Sequence, residues 1–167
     1  MQGAVYRVAF AAALAWSPAA AAAAKSGLVE GGTGLRIERG ERVAFKLTGG
    51  RRLEVVSSGA AKDADALPPK PGPGGPDRAA AEPGTIVAIL GGSSGASVLK
   101  LDSGISQAFD YKAASLDAQG RETPLRTCTV LPLLPNFEAW TARADVVVIR
   151  GLAVRASNEV TCVGPEP

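Results

Sequence analysis

The sequence predicts an all-β fold, an antiparallel β-sandwich with one disulfide. Three observations carry this. Short apolar segments with a period of two recur along the chain, separated by glycine-rich turns. The strongest run, Val146-Val147-Val148-Ile149, is wholly β-branched and suits a pleated sheet. No stretch shows a convincing amphipathic helical pattern. An open β-barrel is the alternative arrangement of the same strands.

Residues 1–24 predict a secretory signal peptide rather than part of the fold. Arg7 gives a positive start, Val8 to Trp16 are apolar, Ser17-Pro18 breaks any helix, and alanines run up to Lys25. Ala22 and Ala24 place cleavage after Ala24. The apolar run is shorter than the roughly 20 residues that span a bilayer. No cysteine stands at the cleavage zone to accept a lipid. The mature chain, 25–167, is expected to form a single domain, periplasmic or secreted, with no stable membrane insertion after cleavage.

Lys25 to Gly34 reads as a loose lead-in. Leu35 and Ile37 alternate with Arg36 and Glu38, the pattern of a half-buried strand. Arg39-Gly40 is expected to make a tight turn into a second strand carrying Val43, Phe45 and Leu47. Gly49-Gly50 turns the chain again into Leu53-Glu54-Val55. These three strands are expected to form a meander with one packed and one wet face. Its arginines and lysines are interleaved with Glu30, Glu38, Glu41 and Glu54, which predicts a mixed solvated face. Neither a phosphate loop nor aromatic interleaving accompanies them. With a net charge of only +2, no nucleic-acid partner is expected.

Residues 57–84 change character. "PPKPGPGGP" lies at their centre and bulky apolar residues are scarce, so burial cannot offset the entropy of ordering. A flexible surface loop is the expectation. "TIVAIL", Thr85 to Leu90, is a continuous apolar run of strand length, as expected for a central strand buried on both faces. The "GGSSG" that follows lacks the Lys-Ser/Thr of a phosphate loop, and a strand, Ser97 to Leu101, comes next.

Gln107 to Ala118 carries Phe109, Tyr111 and Ala113 on one side. Gln119-Gly120 turns the chain into a strand from Leu125 to Val130. "LPLLPNFEAW" follows, and Pro132 and Pro135 are expected to keep it out of the sheet. Its five large apolar residues make it the candidate binding loop, with Leu133, Leu134, Phe137 and Trp140 as the binding residues; the alternative is that Phe137 and Trp140 plug one end of the sandwich and close the core that Phe109 and Tyr111 begin. Asp145 to Arg155 resumes as strand, bent or bulged at Gly151.

Cys128 and Cys162 are the chain's two cysteines. In an exported chain they are expected to pair, which loop-closure entropy puts at about 3–4 kcal/mol of stabilisation. The order Cys128, Trp140, Cys162 partly resembles the Cys…Trp…Cys order of immunoglobulin domains. An Ig-like sandwich is what the resemblance implies. The departures are that no strand follows Cys162 and that Val160 stands where that family has tyrosine. They leave the family unassigned and the strand topology open.

The chain has no histidine. This excludes serine–histidine–aspartate and cysteine–histidine catalysis and the usual catalytic zinc sites. Paired cysteines provide neither a nucleophile nor a thiolate ligand. No calcium loop is present. Asp102, Asp110 and Asp117 are expected on strand faces or in turns. The expected function is non-catalytic, without cofactor or metal. The chain reads as a binding module or accessory part of a bacterial envelope assembly, whose partner is a protein or an envelope polymer. The alternatives are a small carboxylate-dependent hydrolase of envelope polymers and a structural subunit assembling through strand edges.

Overall fold

A computed structural model describes residues 25–68 and 81–165. The predicted leader and the centre of the proline- and glycine-rich stretch lie outside them. The strands are β1 (Gly27–Val29), β2 (Gly34–Glu38), β3 (Glu41–Thr48), β4 (Arg52–Ala60), β5 (Ile86–Ser93), β6 (Ala96–Ser103), β7 (Phe109–Leu116), β8 (Glu122–Leu125), β9 (Thr127–Cys128), β10 (Pro135–Trp140), β11 (Val146–Val154) and β12 (Cys162–Val163). Two five-stranded antiparallel sheets pack together, in the orders β1-β2-β11-β7-β8 and β10-β6-β5-β3-β4, with a two-stranded ribbon, β12-β9, at the side. Both sheets are open, so the architecture is the sandwich and not the barrel.

Alternation builds the core. Leu35 and Ile37 of β2, Val147 and Ile149 of β11, and Phe109 and Tyr111 of β7 point inward from one sheet. Val43 and Phe45 of β3, Ile86, Ala88 and Leu90 of β5, and Leu99 and Leu101 of β6 meet them from the other. Each fully buried Leu, Ile, Val or Phe contributes about 1.5–3 kcal/mol. β5 is central and buried on both faces, as its unbroken apolar run predicts. Val87 and Ile89 point outward into a second cluster with Ala44, Ala66 and Val98.

That second cluster corrects the reading of the loop over its described residues 57–68; residues 69–80 lie outside those described. β4 continues through Ala60, and residues Asp63–Ala66 form a 3-10 turn docked on the outer face of β5. Small residues permit the approach. A Cβ on Gly91 would lie 2.7 Å from the Asp63 carbonyl and 2.9 Å from the Ala66 methyl. Alanine and glycine richness here serves close packing of chain on sheet, which a count of bulky residues does not register.

The predicted three-strand meander is also corrected. The chain changes sheet at Arg39-Gly40: β2 pairs with β1 and β11, whereas β3 pairs with β4 and β5. Only the β3–β4 hairpin over Gly49-Gly50 forms as expected, with φ of 56° and 81° at the two glycines. The face is not uniformly solvated either. Arg39 turns inward, donating to Ser97 Oγ at 2.6 Å and to the Ala144 carbonyl at 3.3 Å, and so ties the crossover to both layers. The lead-in holds β1 and a short 3-10 turn. The predicted strand Leu125–Val130 is split at Arg126 between β8 and β9. Gly151 sits at the expected bulge, with φ 62° and a register shift between Arg150 and Ala153.

Candidate functional site

The predicted binding loop is largely a strand. β10 pairs with β6 from Pro135↔Asp102 to Trp140↔Ser97. Pro135 is its first residue and β10 lies at the sheet edge, where a missing N–H costs no ladder bond. Strand alternation then divides the candidate residues. Phe137 is half-buried on the outer face against the second cluster, with Lys100 Nζ 5.9 Å from its ring centroid. Trp140 points the other way, packs at the margin of the main core, and donates Nε1–H to the Arg126 carbonyl at 2.9 Å. Phe137 and Trp140 therefore do not share a surface.

Leu133 and Leu134 remain outward, 53 % and 41 % exposed. Leu133 has φ 55°, the left-handed region that costs a non-glycine residue roughly 1–2 kcal/mol. Its N–H donates to the Ile105 carbonyl at 3.3 Å, and the Leu134 carbonyl accepts from Ser103 N–H at 3.3 Å. The backbone of the turn is held while both side chains stand in solvent. Phe109 is bridged to Val130 and paired with Val154, so the exposed Val154 lies at the same end of the sandwich.

A second constellation was not foreseen from sequence. Glu138 is buried on the inward face of β10. Its Oε1 accepts the Cys128 N–H at 2.6 Å and an Asn136 amide N–H at 3.2 Å. The buried Tyr111 hydroxyl has no partner in hydrogen-bonding geometry. Burial, reinforced by the negative charge of Glu138, holds its ionisation well above the usual tyrosine range. At neutral pH Tyr111 is therefore a neutral phenol. The only signal for Glu138 in the sequence is a lone acid at inward parity within an apolar run.

Cys128 and Cys162 are bonded, as predicted, and sit directly opposite each other in the ribbon. Neither belongs to the two apolar clusters. Beside them lies a cavity of about 210 Å³ lined by Asp110, Tyr111, Lys112, Cys128, Thr161 and Val163 among others. A larger groove, about 470 Å³, carries Arg36, Asp117, Arg143 and Asp145. Its charges are already paired: Arg143 with Asp145 at 2.8 Å, and Asp117 with Arg121 at 2.6 Å. Among the described residues no group of three or more His, Cys, Asp or Glu side chains could hold a metal ion.

Fold and site together define a disulfide-bridged antiparallel β-sandwich with an exposed apolar turn at one end. No family model matches the chain, and neither does a curated protein or a solved structure.

Proposed function

We propose that the protein is an exported, non-catalytic binding module that seats a partner protein on the Leu133–Leu134 turn. The left-handed backbone of Leu133 carries this reading. A leucine there is strained, and half its surface gains nothing from burial. The backbone bonds to Ile105 and Ser103 hold the strain in place, and an exposed apolar side chain kept at such a position supports a functional constraint. Export to the periplasm or medium is supported by the leader pattern of residues 1–24 and by the disulfide. Intact mass starting near Lys25 is the expected result, and retention of Met1 would contradict export.

Leu133→Asn provides the functional test. Asparagine tolerates the left-handed region, so the variant should gain about 0.5–1 kcal/mol of stability. It should also lose a partner that the wild-type protein captures from its native envelope. Unchanged capture by the more stable variant would defeat the proposal.

A second reading, a subunit assembling through strand edges, draws on β4, nine residues long, mostly exposed and free of proline. The bulge opposite Ala44–Phe45 counters it, because bulges discourage edge pairing. Concentration-dependent sedimentation that Val56→Lys abolishes would favour assembly over the binding module.

A further inference from the structure

We propose that the Cys128–Cys162 bridge is a site of thiol–disulfide exchange, opened by a dithiol oxidoreductase through attack on Cys162 while the sandwich stays folded. The position of the bond supports this. It joins two strands of two residues each, outside both apolar clusters. Every residue from 156 to 165 is exposed, Cys162 among them, whereas Cys128 is partly buried. An incoming thiolate therefore reaches Cys162, and Cys128 is the leaving group.

The Cys128 side is built to remain in place. Its amide is held by the buried Glu138 carboxylate at 2.6 Å, and Cys128 lines the 210 Å³ cavity together with Lys112. Asp110 of that cavity is engaged by Arg155 at 3.3 Å. Among the described residues no carboxylate forms an ion pair with Lys112. An ammonium in the cavity that Cys128 lines favours the thiolate form of the leaving sulfur and speeds its departure. The arm does not drift far once released. Arg155 Nη1 donates to Thr161 Oγ1 at 2.8 Å and to the Glu159 carbonyl at 3.2 Å, which keeps reclosure local.

The donor thiolate forms a bond to Cys162 Sγ, the Cys128–Cys162 bond breaks, and the electron pair leaves on Cys128 Sγ, which takes a proton. The donor's second thiolate then attacks the donor's first sulfur in the mixed disulfide, closing the donor's disulfide and expelling Cys162 as thiolate, which is protonated in turn. The protein gains two thiols and the donor becomes a disulfide.

Two measurements test this on the folded, oxidised protein. Glutathione is added in native buffer, the reaction is quenched with acid, and the adduct is mapped by peptide mass. The adduct should favour Cys162 by about tenfold or more, since accessibility selects the attacked sulfur; an adduct mainly on Cys128 overturns the proposal. Dithiothreitol reduction is then followed across low urea. A rate independent of urea, with new hydrogen exchange confined to β9 and residues 156–165, is expected. A rate that tracks global unfolding overturns it.

Discussion

Replacing Trp140 with alanine measures how far β10 belongs to the core. A fully buried indole removes about 150–250 Å² from water, worth roughly 4–6 kcal/mol at 25 cal/mol per Å². Trp140 packs only at the margin of the main cluster, and part of its ring stays in solvent. About half of that value, ~2–3 kcal/mol, is therefore at stake. The indole N–H bond to Arg126 adds little to the loss, because Arg126 lies where water can replace the donor. The assay is urea unfolding followed by circular dichroism, in which the midpoint falls while the slope holds. The melting temperature should drop by about 5–10 °C for a chain of this size. A loss below about 0.5 kcal/mol would mean that the ring lies on the surface as a patch. A loss above about 4 kcal/mol would mean a full core residue, as large core deletions show. Trp140→Phe keeps most of the packing and should cost about 1 kcal/mol.

Gly91→Val should drive the 3-10 turn off β5, because the added side chain meets Asp63 and Ala66, and trypsin should then cut at Lys62 faster than in the wild-type protein. Glu138→Ala strips the acceptor from the Cys128 and Asn136 N–H groups and should cost about 2–3 kcal/mol, whereas Glu138→Gln keeps an acceptor oxygen and should cost less than about 1 kcal/mol. Tyr111 holds its proton more tightly folded than unfolded, so its contribution is fully present below the ordinary tyrosine value of about 10 and is lost as pH rises above it. Urea midpoints should accordingly fall above about pH 10, and Tyr111→Phe should flatten that fall at little cost, since the hydroxyl gives up no hydrogen bond.

The local pattern of residues was sufficient for some features. The period of two in Leu35–Ile37, Val43–Phe45 and Phe109–Tyr111–Ala113 marks inward faces, because strand geometry alone sets which side chains share a side. "TIVAIL" marks the central strand, because only a position covered on both faces accepts apolar residues at every step. The pairing of Cys128 with Cys162 follows from there being two cysteines in the chain. Other features depend on which strands meet, and that choice is made by contacts distant in sequence. A period of two says nothing about which sheet a strand joins, so the change of sheet at Arg39 was invisible, as was the partial burial of its guanidinium. Pro135 looks like a breaker until the strand is known to be an edge. Once β10 is in the ladder, alternation sends Phe137 and Trp140 to opposite faces and turns Glu138 toward Cys128, while Leu133 and Leu134 stay in solvent. Composition put those apolar residues in one loop; the register of a single edge strand decided which of them the core takes up.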